Sequence, residues 1–180
     1  HAAVELHAVE HHFVDDGAGQ RLDHRHLLGH ALVAGVAPGR VEHERARGFR
    51  EWFRDREGVQ LFDLVCSELR MDEVHALVER TVRENPDLRG IFAVSAIGHK
   101  IADYLSDKGL KSGISFIGYD LVEDNIRCLK DGKIDCLISQ RPEEQGRHVM
   151  QQIYRKIVLE ETTTSRIDMP IDIYFKENLL

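Results

Sequence analysis

Five times along the chain a short apolar run gives way to a longer stretch whose apolar positions recur every three or four residues. Residues 31–37 (ALVAGVA) are the first run, closed by Pro38-Gly39, and residues 41–56 follow with Phe49, Trp52 and Phe53 on one helical face. The alternation repeats at 59–65 and 71–84, where Val74, Leu77, Val78, Thr81 and Val82 keep helical spacing until Asn85-Pro86 stops it. Residues 91–94 with 97–108, 114–117 with 122–130, and 134–139 with 142–160 complete the series, with Gly109 and Asp131-Gly132 as helix terminators. Strands apolar on both faces and separated by helices belong to a parallel sheet covered on both sides, so the pattern predicts an α/β, doubly wound parallel sheet.

In such a sheet right-handed crossovers bring the carboxyl ends of the strands to one edge, where ligands bind. The positions just after the strands are therefore the candidates: 38–45, 67–69, Ser95, Asp120, and Gln140 with Arg141. Gln140 stands out because Pro142 follows it and serves as a first helical residue. Two readings of Gln140 are open. Its amide could meet a small polar ligand with two donors and an acceptor, or Ser139 could cap the helix and leave Gln140 in solvent. Arg45 and Asp120 also carry two readings. An acceptor-only carboxylate and a planar guanidinium could clamp a polyol, or the two could form a surface salt bridge worth about 0–1 kcal/mol.

Composition narrows the class. The 180 residues, 42% hydrophobic and 31% charged, suffice for one sizeable core. No apolar run approaches the roughly 20 residues that cross a bilayer, and the first residues lack the charged, apolar and small-residue succession of a secretory signal, so no membrane partner and a cytoplasmic location are expected. A net charge of −7 with no Lys/Arg cluster gives this chain no nucleic-acid footprint of its own. Cys66, Cys128 and Cys136 are too widely spaced for a zinc pair and lie in apolar surroundings, which makes them buried thiols. Histidine is concentrated at the start, where His7 with His11 and His26 with His30 have the i, i+4 spacing of helical metal ligands. Neither pair lies in a His-Glu-x-x-His motif, and solvated or packed histidines are the expectation, with no metal. No phosphate loop, dinucleotide fingerprint or nucleophile elbow occurs, so neither catalysis nor a cofactor is expected.

Four stretches in this order, ALVAGVAPGRVEHERARGFREWF (31–53), NPDLRGIFAVS (85–95), GISFIGYDLVEDNIRCLKDGKIDCLISQRPEEQG (113–146) and MPIDIYFKENL (169–179), resemble the effector-binding domain of lactose-repressor family transcription regulators, which is of the periplasmic-binding-protein type I-like fold. The resemblance implies a two-lobed, non-catalytic domain that holds an effector, a sugar or sugar derivative, in its cleft. This chain would be mainly the C-terminal lobe: 31–139 in that lobe, 140–165 as a hinge crossover and a helix belonging to the N-terminal lobe, 166–180 as the return, and 1–30 as a remnant of the N-terminal lobe. It implies ligand contacts from Arg45, from Asp120 in IGYD, and from Gln140 at a crossover. Ser95 stands where many members have asparagine or aspartate, and Leu69 near a position often filled by a stacking aromatic; both join the candidate set. DNA would be bound only through a helix-turn-helix headpiece that these residues do not include, and a homodimer is expected from palindromic operators. The chain thus reads as a piece of a longer regulator. The same fold also serves sugar uptake, so a periplasmic-type sugar-binding protein of an uptake system is the alternative. On the helix 142–160, Val149, Met150, Ile153, Tyr154, Ile157 and Val158 form an apolar stripe with no evident partner in this lobe.

Overall fold

A computed structural model describes residues 6–9, 30–36, 40–66, 70–164 and 166–179. Seven strands make one sheet: β1 (Leu6–Val9), β2 (His30–Val36), β3 (Leu61–Cys66), β4 (Leu88–Ala93), β5 (Ser115–Tyr119), β6 (Cys136–Ser139) and β7 (Asp172–Tyr174). Their order is β1-β3-β2-β4-β5-β6-β7. The five central strands are parallel, as the apolar runs require. The expected α/β, doubly wound parallel sheet is present, and it carries an antiparallel strand at each edge, β1 beside β3 and β7 beside β6. Of the segment 1–30, β1 and His30 are described. His7 lies in β1 and His30 opens β2, so neither histidine pair shares one helix.

Helices α1 (Arg40–Phe53), α2 (Met71–Glu84), α3 (Gly98–Asp107), α4 (Glu123–Lys130) and α5 (Pro142–Ile157) connect the strands. Side chains alternate along each strand, and the two sheet faces make two cores. Ile91, Ala93, Phe116 and Leu137 point toward α2, α3 and α4, where Val74, Val78, Ile101, Leu105 and Leu129 meet them. Phe92, Val94 and Tyr119 point the other way, toward Ala46 and Phe49 of α1. Asp63 shares that second face between Phe62 and Leu64, and the Arg50 guanidinium of α1 grips its carboxylate through Nε (3.0 and 3.2 Å) and Nη2 (2.9 Å). A charge inside a strand is tolerated there because it is paired.

Beyond β6 the packing changes. Arg141, directly before Pro142, takes a left-handed conformation (φ 53°), and α5 departs. None of its residues is buried, and the apolar stripe is exposed, Ile157 to 71%. Arg141 also donates from Nε and Nη2 to the Asp172 carboxylate at 2.7 and 2.8 Å, tying the departing crossover to the returning strand β7.

An ion cluster joins α3 to α4. Asp103 accepts from Arg127 Nη2 and Lys133 Nζ, both at 2.6 Å, and Arg127's hydrogen bonds, then those of Lys133, hold its carboxyl far below the usual range against the opposing effect of burial. Burial pushes the neighbouring Cys128 thiol up to about 11, so it stays neutral and inert. Because the folded Asp103 is harder to protonate than the unfolded one, its stabilisation is complete above the unfolded value of about 3.9 and is lost as pH falls through the folded value. Thermal unfolding followed from about pH 6 to about pH 2 should therefore show a shallower fall for Asp103→Asn than for wild type. Parallel curves would mean that this half-exposed cluster contributes nothing.

Candidate functional site

The chain runs from β2 to β3 on one side of the sheet and then back to β4 on the other, so the strand order reverses at β2. A crevice opens between the carboxyl ends of β2 and β4 at such a reversal. Arg45, one turn into α1 from β2, spans it: Nη1 donates to Val94 O at 2.6 Å, just past β4. Its guanidinium carbon lies over the Tyr119 ring, 4.0 Å from the centroid. Below, Tyr119 meets Phe92 at 5.8 Å and Phe92 stacks on Phe49 at 4.6 Å, so an aromatic column supports the guanidinium. Burial raises the Tyr119 phenol above its ordinary range, with Arg45 opposing and Asp120 adding.

Ser95 follows Val94. It is only 7% exposed, and its Oγ has no hydrogen-bond partner among the described residues. Asp120 follows β5 in a left-handed conformation (φ 68°), strained for a residue with a side chain although aspartate tolerates it better than most. Its backbone is pinned: N–H donates to Ile138 O at 2.8 Å, and its carbonyl accepts from Asn125 at 3.0 Å. No described group donates to its carboxylate. The surface salt bridge considered for Arg45 and Asp120 is not formed, because Arg45 is engaged by Val94 and Tyr119.

The strand-end geometry thus gathers Arg45, Ser95 and Asp120 on one edge. Gln140 is placed differently. Its carbonyl accepts from Gln145 Nε2 at 2.7 Å, and it lines a groove of about 520 Å³ together with residues of α5, Thr164 and residues 166–171. Ser139 does not cap α5 by accepting inside the helix; its Oγ takes the Arg141 N–H at 3.4 Å. Leu69 lies outside the described residues. Tyr119 and Asn125 enter as supporting groups. The first was visible as an aromatic beside a strand-end aspartate, the second only as a polar residue on the apolar side of a short helix. Among the described residues no three His, Cys, Asp or Glu side chains are placed to hold a metal ion, and no helix is long and apolar enough to cross a membrane.

The arrangement sets one acceptor-only carboxylate, one guanidinium with N–H groups to spare and one buried hydroxyl at neighbouring strand ends on one edge of the sheet. An open α/β sheet presenting such groups at its strand ends is the architecture of periplasmic-binding-protein-like lobes. The chain belongs to the periplasmic binding protein domain family, which matches residues 18–161. It is 30% identical over 96 residues to the xylose/arabinose-binding protein XylF of Sulfolobus acidocaldarius, covering 50% of this chain and 24% of that protein. Among solved structures it resembles a protein described as a LacI transcriptional regulator from Bacteroides fragilis, with TM-score 0.73 and 27% identity over 84% of this chain and 54% of the other. A solute-binding protein of an ABC transporter from Burkholderia graminis, in complex with D-arabinose, gives TM-score 0.74 and 25% identity over 83% and 54%. The chain therefore spans about a quarter of the curated relative and about half of these solved ones. Family membership is thereby fixed at the level of the periplasmic binding protein domain, wider than the lactose-repressor family that the motifs resemble.

Proposed function

We propose that this chain is a ligand-binding lobe of a non-catalytic monosaccharide-binding protein, and that the whole protein is a cytoplasmic transcription regulator whose grip on DNA the sugar controls. The observation that carries the binding reading is the unpartnered Asp120 carboxylate, held in a strained backbone conformation beside an equally unpartnered Ser95 hydroxyl. Water reaches the half-buried carboxylate, whereas the buried Ser95 hydroxyl has no partner among the described residues, and a ligand that meets both would supply one. Asp120 would accept from two sugar hydroxyls, Arg45 would donate to a ring or hydroxyl oxygen, and Ser95 would complete the set. One negative and one positive side chain suit a neutral aldose.

The regulator reading is supported by the likeness to the Bacteroides fragilis protein. The uptake reading is supported by the XylF and Burkholderia relatives. Titration calorimetry of the full-length protein with D-xylose, D-arabinose, D-allose and D-tagatose tests the binding. Mobility shift on DNA upstream of its own gene, with and without the bound sugar, tests regulation. Sugar-dependent retention of that DNA is the expected result. Saturable sugar binding by a protein that ignores DNA would favour uptake, and heat-silent titrations with all four sugars would sink the monosaccharide reading.

A further inference from the structure

Asn125 is fully buried, an unusual place for a side-chain amide on the short surface helix α4. Its Nδ2 lies 2.8 Å from Tyr119 O, 3.0 Å from Asp120 O and 3.2 Å from Ala96 O. Its Oδ1 accepts the His99 backbone N–H at 2.8 Å and lies 3.1 Å from His99 Nδ1. The orientation of the amide is unambiguous, since three carbonyls face one end and two nitrogens the other. His99 Nδ1 is also 3.2 Å from Ala96 O, so both its neighbours are acceptors and Nδ1 carries the hydrogen. One amide thereby joins the loop after β4, the loop after β5 and the start of α3.

The two loops are those that carry Ser95 and Asp120. The peptides on both sides of Asp120 end in carbonyls held by Asn125, and its N–H is held by Ile138 O, so every backbone group that sets the direction of its carboxylate is occupied. On the other loop, Ala96 O is fixed one residue beyond the Ser95 hydroxyl. We propose that Asn125 is a positioning residue: it fixes the Asp120 carboxylate relative to the Ser95 hydroxyl across two strand ends and so sets the affinity of the site for its ligand. This rests on the ligand-binding reading of Asp120.

A double-mutant cycle in the full-length protein tests it, with affinity for the sugar that binds most tightly of D-xylose, D-arabinose, D-allose and D-tagatose as the readout. Asn125→Ala should lower affinity about tenfold or more, because a binding group needs placement to within about 0.5 Å. In an Asp120→Ala background the same change should cost less than about twofold, since its effect passes through the residue already removed. A purely structural residue would lower the melting temperature and leave the affinity of the folded protein unchanged, or would add its full effect in both backgrounds; either result overturns the proposal. Asn125→Asp, of the same shape but facing three carbonyls with an oxygen, should be as damaging as alanine to affinity, and retained affinity would also overturn it. Should alanine prevent folding, the aspartate variant serves in its place.

Amide hydrogen exchange without sugar gives an independent reading. Residues 95–97 and 119–121 should lose protection together in the variant while β4 and β5 keep theirs. Unchanged protection, or a uniform loss across the lobe, rejects the staple. If Asp120→Ala alone leaves sugar affinity intact, the ligand role of Asp120 fails; if it weakens binding and Asn125→Ala does not, only the positioning role fails. If wild type binds none of the four sugars, the monosaccharide reading falls and hydrogen exchange alone decides whether the amide holds both loops.

Discussion

Asp120→Ala is expected to weaken monosaccharide binding by several-fold to about a hundredfold, on the order of 1–3 kcal/mol for hydrogen bonds to a charged group. The carboxylate has no described partner to lose in the free protein, so the effect falls on the bound state. Two contributions must be kept apart. Alanine tolerates the left-handed backbone at φ 68° less well than aspartate, which by itself destabilises the loop. Asp120→Asn keeps that tolerance and one acceptor while removing the charge, so it isolates the ligand term. Calorimetry should rank affinities wild type, then asparagine, then alanine, with the asparagine variant melting close to wild type. Equal affinity in all three, with the fold intact, would take Asp120 out of the site.

How far the sequence showed this site depended on the range of the interactions involved. Hydrophobic period and turn chemistry are local, and they placed all five helices and the five central strands to within a few residues. Local signals also explain the misplaced ends. Strand β4 begins at Leu88, three residues before the apolar run at 91–94, because Leu88 and Gly90 pair with His30 and Ala31 of β2 across a bulge. Strand β6 begins at Cys136 and not at Ile134, because Asp135 turns to exchange bonds with Phe116, accepting its N–H at 2.7 Å and donating to its carbonyl at 2.9 Å. Helix α5 ends at Ile157, where Glu160 turns left-handed without a glycine to announce it. Strand-end chemistry followed from topology alone, so Arg45, Ser95 and Asp120 could be nominated before their geometry was known. What could not be read were the choices made between distant segments: Arg45 pairing with Val94 and Tyr119 and not with Asp120, Gln140 facing the α5 groove, and Asn125 collecting three carbonyls from two loops. An amide on the apolar side of a helix shows in sequence that it faces inward, but not which distant carbonyls it will meet there.

Phe116→Ala is expected to be the most destabilising single change. Phe116 is wholly buried on the face of β5 beneath α3 and α4, among the largest side chains in the core. Truncating such a ring costs about 3–5 kcal/mol, from the lost transfer energy and from the cavity left behind. A domain of this size is stabilised by only about 5–15 kcal/mol, and each kcal/mol moves its midpoint by about 2–4 °C, so a fall of about 6–20 °C is expected. The damage should reach the site. A Cβ at Gly98, the first residue of α3, would lie 3.5 Å from Asn125 Oδ1 and 3.6 Å from the Phe116 ring, so the amide that holds the Asp120 loop packs near the same end of α3 as the ring. Removing it leaves that end of α3 and its His99 contacts without a floor, and sugar affinity should fall along with stability. Gly98→Ala is the control, since its Cβ would meet these neighbours at ordinary contact distance and should leave both properties near wild type. Phe116→Leu, which keeps more of the volume, should lie between. Calorimetric melting and sugar titration of the three variants read both effects, and a Phe116→Ala protein melting within about 2 °C of wild type would show that the ring does not carry the core as its burial implies.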